Sequence, residues 1–317
     1  MGSILDSIPW ARRLKIRHLE VFVVLHEMRS LTDAASRLHM TQPALSHWLA
    51  DMESTVGRAL FVRDRKLSLT PDGQVLLAHA ERMLGDVQRT HLELQAVQGG
   101  MRGRLHVGTG LPRILLPGAI SRLHQARPDV FVSVTEAAQP QLLGMLARCE
   151  VDALIGVMGT EVLQSGFACE GLMSDCVQIV ARRDHPLTRQ GPLTLQDTLA
   201  CSWILPPGNS VMRAAFDDSF AQAGVRPPMA CVEGNSSVRM QLLVCAPNYL
   251  SIFTASELKG LRSDEPVVAL PLTASIPFPD IGTIWSPQHA GPIVMGFLEA
   301  VRFEARSVRG SEGNMPA

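Results

Sequence analysis

Five side chains in one short stretch, Thr41, Gln42, Pro43, Ser46 and His47, have the chemistry by which proteins read base edges. Gln pairs with adenine, Ser bonds a base or a phosphate, and Pro touches a thymine methyl. Just downstream, Arg63, Arg65 and Lys66 crowd one short turn and suit contact with phosphate oxygens. Between Arg12 and Lys66, ten Lys/Arg stand against six Asp/Glu, about +4, whereas the 317-residue chain as a whole carries −1. The positive charge is concentrated where a polyanion would lie.

Catalytic sets are missing by contrast. The chain holds no G-x-S-x-G, P-loop or HExxH motif. Seven of its ten histidines lie at or before His106. A metal site or acid–base pair in the second half would have to draw on His124, His185 and His289, far apart in sequence. The expectation is a protein that is not an enzyme and holds no metal or cofactor; a small-molecule-binding enzyme is the distant alternative. Cys149, Cys169, Cys176, Cys201, Cys231 and Cys245 show no CxxC spacing, which predicts free thiols, mostly small core residues. Cys169 and Cys176, in an expected loop-to-strand region, leave a thiol-based redox-sensing regulator as the nearer alternative.

The DNA-facing residues need elements to aim them. Leu19, Phe22, Val23 and His26 recur at helical spacing and predict a helix over Ile16–Met28. Ser30 and Thr32 are cap candidates for the next helix, whose Ala34, Ala35 and Leu38 face inward. Thr32 also joins the set expected to face DNA. Thr41 caps a third helix, with Pro43 in its first turn, and Leu45, Leu49, Met52 and Val56 point to the core. The outer face of that helix then presents Gln42, Pro43, Ser46 and His47, while Trp48 is read as packing. Two short strands, 60–62 and Leu67–Leu69, complete a winged helix-turn-helix over residues 14–70.

From Pro71 to Gln98, residues Leu77, Ala80, Leu84, Val87, His91 and Leu94 follow a 3–4 pattern and predict a linker helix, 71–99, that dimerises as a short coiled coil. Beyond Gly99, Gly100 and Gly103, strands alternate with helices: strand 104–108, helix 112–127, strand Val130–Glu136, helix 140–149, strand Ala153–Val157. The alternation resumes with strands at 176–181, Ser202–Leu205, Ala230–Glu233, 249–253, 267–270 and 281–285, with helices at 211–223, 236–244 and 291–306 between them. Such an order predicts parallel sheet covered on both faces. Ligands of these sheets sit beyond the carboxyl ends of the strands. That selects Thr109, Gly110 and Leu111, Thr135 and Glu136, Pro206, Pro207, Gly208 and Asn209, Asn235 and Ser236, and Phe253. Helix N-termini there favour a small organic acid, and Glu136 and Glu233 suit a sugar-like compound or a hydroxylated acid.

The run LEVFVVLHEMRSLTDAASRLHMTQPALSHWLADMESTVGRALFVRDRKLSLTPDG resembles the N-terminal domain of LysR-type transcriptional regulators, AASRLHMTQPALS and LF…R…LT…G being its most specific parts. Two departures stand out: His47–Trp48 follow Ser46 where an Arg or polar pair is usual, and the turn after Arg63 lacks its usual Gly. The second half more loosely resembles the family's periplasmic-binding-protein-like α/β effector domain, with RRDHPL at Arg182–Leu187 as a landmark. The resemblance implies an effector domain over 104–308, lobe I about 104–175 and 279–308, lobe II about 176–278. It further implies Gln42, Pro43 and Ser46 on a recognition helix, promoter DNA and a small-molecule effector (from the start RLKIRHLEVF, an aromatic acid or a sugar) as partners, homodimers that pair into homotetramers, and RNA polymerase as a partner if the protein activates. No signal peptide or membrane-spanning run is evident, so the expected location is the cytoplasm.

Overall fold

The computed structural model describes residues 10, 13–64, 66–111, 115–259 and 266–310, apart from the side chains of Arg63 and Arg309. They fall into two compact units, one built mainly from the chain up to Gly99 and one from Gly100 onward.

In the first unit, α1 (Ile16–Met28), α2 (Leu31–Arg37) and α3 (Gln42–Val56) precede an antiparallel pair, β1 (Phe61–Arg63) and β2 (Leu67–Leu69), and a long α4 (Pro71–Gln98). Phe22, Leu25, Ala34, Leu45 and Leu49 are wholly buried in one core. Each large apolar side chain there contributes roughly 1.5–3 kcal/mol before entropy is set against it. The small Ala34–Ala35 pair lets α2 lie close to its neighbours. Ser30, not Thr32, caps α2 by accepting from Asp33 N, and Thr41 caps α3 by accepting from Ala44 N. Between the two helices His39 takes φ +54°, a left-handed backbone that glycine adopts more readily. The first strand begins at Phe61 rather than at Leu60, and the Glu53 carboxylate accepts from the Leu60 N–H, 2.8 Å away.

Helix α4 packs along α1, and this corrects part of the expected coiled-coil seam. Ala80 is wholly buried within its own domain, and Leu77 and Leu84 lie against the same core. The apolar residues still open to a partner are Val75, Met83, Val87, Leu94 and Val97, of which Val87 and Leu94 belong to the expected seam. A 3–4 pattern marks an apolar face without saying whose core it joins.

The second unit runs β3 (Gly103–Thr109), α5 (Leu116–Ala126), β4 (Val130–Glu136), α6 (Gln139–Ala147), β5 (Ala153–Val157), α7 (Thr160–Gln164) and β6 (Ala168–Arg182). It continues through β7 (Ser202–Leu205), α8 (Val211–Gln222), β8 (Ala230–Glu233), α9 (Ser236–Cys245), β9 (Tyr249–Thr254) and α10 (Ala255–Lys259). Strands β10 (Val267–Ala269) and β11 (Ile276–Trp285) and helix α11 (Pro292–Gly310) complete it. The expected start of the first helix, at Pro112, lies outside the described residues.

The strands form one mixed sheet in the order β4-β3-β5-β11-β6-β9-β7-β8, with β10 added to β6. Parallel pairing, expected throughout, is confined to β3 with β4 and β5 and to β7 with β8 and β9. The pairs β5–β11, β11–β6 and β6–β9 are antiparallel. Strand β6 is 15 residues long and begins well before the expected 176, because it and β11 cross from one lobe to the other. Their ladder is interrupted between Phe278 and Ile281. Helix α11 returns to pack on α5, where the Arg122 guanidinium lies 3.3 Å from the Phe303 ring centre. Lobe I is therefore made from both ends of the unit.

Cys169 and Cys176 both lie in β6, not in a loop leading to it. At about 3.3 Å per residue they are over 20 Å apart, far beyond the 4.4–6.8 Å that a disulfide spans between Cα atoms. The landmark at Arg182–Leu187 proves to be a turn-builder. Arg182 forks onto Asp184 at 2.7 and 2.5 Å, holding that carboxyl below its ordinary value, and His185 Nδ1 accepts from Leu187 N. Among the described residues no helix is long and apolar enough to cross a membrane.

Candidate functional site

The first site is the N-terminal end of α3. Leu45, Leu49 and Met52 bury one face of this helix, so the opposite face must point outward. Thr41, Gln42, Pro43 and His47 are exposed there and Ser46 is half-buried. The spacing follows from helical geometry, since residues three and four apart share a face. Thr41 spends its hydroxyl on the cap, whereas the Gln42 amide and the His47 ring face solvent. Thr32 is exposed one helix earlier, and its carbonyl accepts from Ser36 Oγ. Trp48 is half-buried, its ring 4.8 Å from that of His18, so it braces α3 against α1.

The strand pair β1–β2 is held to this scaffold at both ends. Leu67 N donates to Arg29 O at the end of α1, and Phe61 N donates to the Glu53 carboxylate. Arg63 pairs with Leu67 across the ladder, which leaves Asp64 to Lys66 as the turn. Lys66 is exposed. Arg65 and the side chain of Arg63 lie outside the described residues.

The second site is a cleft of about 310 Å³ in the α/β unit. From lobe I it is walled by Gly110 and Leu111 beyond β3, Glu136 at the end of β4, and the end of β5. From lobe II come Pro206, Pro207 and Asn209 beyond β7, and Asn235 and Ser236 beyond β8. These eight of the expected residues converge because the carboxyl ends of both parallel sets open toward one another.

Four expected residues stand elsewhere. Thr109 is fully buried, its hydroxyl accepting from Leu111 N at 2.9 Å, so it shapes the loop from behind. Thr135 turns to the other side of its strand and meets His106 Nε2 at 2.7 Å. Gly208 is exposed but outside the wall. Phe253 is buried with Met240 and Leu243 beneath α9, because alternate residues of β9 face opposite sides of the sheet.

The cleft also uses residues that the strand-end rule passed over. Gln139 locks the start of α6 to β5, its side chain accepting from Val157 N and donating to Val157 O. Met212 enters from α8, which Phe216 and Phe220 pin against Trp203 at 5.0 and 6.4 Å between ring centres. Phe278 closes one side. Most notable are Arg239 and Glu257, only 3% and 2% exposed. Arg239 donates to the Ile252 carbonyl and the Ser251 hydroxyl and lies over the Phe253 ring. Burial pushes the Arg239 guanidinium down to about 10, against an upward pull from Glu257, so it stays cationic at neutral pH. Glu257 accepts from Ser236 Oγ and Thr254 N, both at 3.0 Å. One signal for Arg239 was present in the sequence: a lone cation inside the otherwise uncharged SSVRMQLLVC.

Residues 16–74 match the family model described as bacterial regulatory helix-turn-helix protein, lysR family, and residues 98–306 match that of the LysR substrate binding domain. The transcriptional regulator GbpR of Azospirillum brasilense is 33% identical over 246 residues, 76% of this chain and 72% of its own length. GalR of Pseudomonas putida is 32% identical over 260 residues, 81% of this chain and 65% of its own length. Among solved structures, the LysR family regulator CbnR aligns over 92% of this chain and 99% of its own, with a TM-score of 0.59 at 22% identity. CbnR in complex with its target DNA gives 0.58 at 23% identity, over 92% of this chain and 100% of its own.

Proposed function

Because the chain belongs to the LysR family of bacterial helix-turn-helix transcriptional regulators, we propose that the exposed N-terminal end of α3 reads its operator and that a small molecule in the inter-lobe cleft modulates that reading. The observation that carries this is the pairing on α3 of a buried apolar face with an outer face of Gln42, Pro43, Ser46 and His47. Gln42 is assigned a base edge, and Ser46 a base or a phosphate. Arg63, Arg65 and Lys66 are assigned phosphates, which fix register without specifying sequence.

The cleft is read as a binding site and not a catalytic one, acting in the cytoplasm where the chromosome lies. A ligand there can shift the balance between DNA-bound arrangements only through its differential affinity for them. Two copies joined through α4 supply the two recognition helices that a pseudo-palindromic operator needs. The test is fluorescence anisotropy on DNA from upstream of the gene and on a scrambled duplex, over a salt series. A preference of roughly a thousandfold or more with a steep salt slope is expected. Equal, weak binding to upstream and scrambled DNA would count against the assignment.

A further inference from the structure

A cation that a folding chain takes out of water needs a counter-charge, and Arg239 has none in direct contact. Its partners are the Ile252 carbonyl, the Ser251 hydroxyl at 3.4 Å, the Met212 sulfur at 4.0 Å and the face of the Phe253 ring, all neutral. Its buried Nε has no partner at all. Glu257 draws on the guanidinium at longer range, but its two oxygens are already occupied by Ser236 and Thr254. A buried charge left in this state is costly unless something else completes it.

The surroundings of Arg239 say what would complete it. It lies one turn into the ten-residue α9, whose cap Asn235 accepts from Val238 N; the twelve-residue α8 is capped by Ser210, which accepts from Arg213 N. Both helices begin at the wall of the cleft, and the first N–H groups of a helix, together with its dipole, favour a negative group. Exposed Glu136 stands on the lobe I side, which disfavours a second negative charge at that end. The volume, about 310 Å³, is that of roughly ten waters. Leu111, Val157, Met212 and Phe278 provide an apolar seat for the body of a small molecule.

We propose that the cleft takes a small monocarboxylate, its carboxylate paired with Arg239 at the N-termini of α8 and α9. This rests on reading the cleft as the effector site. The pairing would give the guanidinium the counter-charge it lacks and leave Glu257 free to keep Ser236 and the start of α10 in place.

The experiment uses the full-length chain and three matched pairs at constant ionic strength: acetate with acetamide, lactate with lactamide, benzoate with benzamide. Melting temperature is followed to about 50 mM, and any compound that shifts it is titrated calorimetrically. At least one acid should bind, with its amide roughly 10- to 100-fold weaker, the range a charge-assisted hydrogen bond is worth. Arg239→Met should lose the same factor, and Arg239→Lys, which keeps the charge without the fork, should fall between. Should Arg239→Met fail to fold, the acid–amide comparison on the natural chain still decides. Amides that match their acids, an Arg239→Met protein that binds the acid undiminished, or three silent acids would each overturn the proposal. Operator binding measured in parallel separates this from the reading it rests on. Specific DNA binding with silent acids refutes the monocarboxylate alone, whereas acid binding without any DNA preference supports it and refutes the regulator.

Discussion

Gln42 stands in the first turn of α3 with its amide in solvent, where the proposed reading gives it a base edge to contact. Gln42→Ala should cost about 1–3 kcal/mol on the natural operator and almost nothing on a duplex changed at the one base pair it reads. Anisotropy with the paired duplexes checks this; an unchanged preference at every position would remove Gln42 from the base-reading set. His185 behaves oppositely, as a residue whose work is done neutral. Its Nδ1 accepts from Leu187 N, and burial holds its proton affinity below the ordinary value despite the nearby Asp184 carboxylate. A histidine depressed in the folded state binds fewer protons there than when unfolded, so stability is intact above the unfolded pKa and declines as pH falls below about 6.5. His185→Asn keeps a comparable acceptor for Leu187 and does not titrate. Its melting temperature should therefore fall less than that of the natural chain between about pH 7 and 5.

Whole elements were legible wherever the chain carries punctuation. Thr41 with Pro43 marks the start of α3 and Pro71 that of α4, and β7 and β8 end where Pro206–Pro207 and Gly234–Asn235 take over. The five-residue helices α7 and α10 were missed because a single turn shows no period. The length of β6 was missed because its first half crosses a polar stretch, EGLMSDC, that reads as loop until β11 is known to pair with it. At the cleft, the change from strand to helix pointed to eight of the wall residues; the lone cation of SSVRMQLLVC was a signal for Arg239, but it does not by itself say that this arginine is buried, since helix arginines are normally exposed. Spacing also hid Gly73, where the first turn of α4 passes Leu60 so closely that a Cβ would lie 2.1 Å from its carbonyl oxygen. That oxygen is backbone and bound to Thr70 N, so it cannot easily give way. Gly73→Ala should destabilise the DNA-binding unit by roughly 1–3 kcal/mol, the usual cost of overpacking, measured by urea unfolding of the full chain. An unchanged midpoint would show that α4 can shift.

At the scale of the molecule, two open features of α4 and of the sheet matter most. Val87, Leu94 and Val97 are exposed in the second half of α4. Leu94→Glu combined with Val97→Glu should leave each fold intact but convert dimers to monomers in sedimentation equilibrium. Operator affinity should fall by at least tenfold, because the monomer offers one recognition helix where the dimer offers two. An unaltered sedimentation profile would place the self-association elsewhere. The sheet has a different consequence. Strands β3 to β5 are made early, but the strand that seals β5, and the helix that covers α5, come from the last 35 described residues. On a ribosome adding about 5–20 residues per second, lobe I must wait on the order of 10 s for β11, while the winged helix is free to fold as soon as it emerges. A nascent chain can thus hold a finished DNA reader before it holds a finished sensor, and truncation before Trp285 should yield not a shortened sensor but an unassembled one.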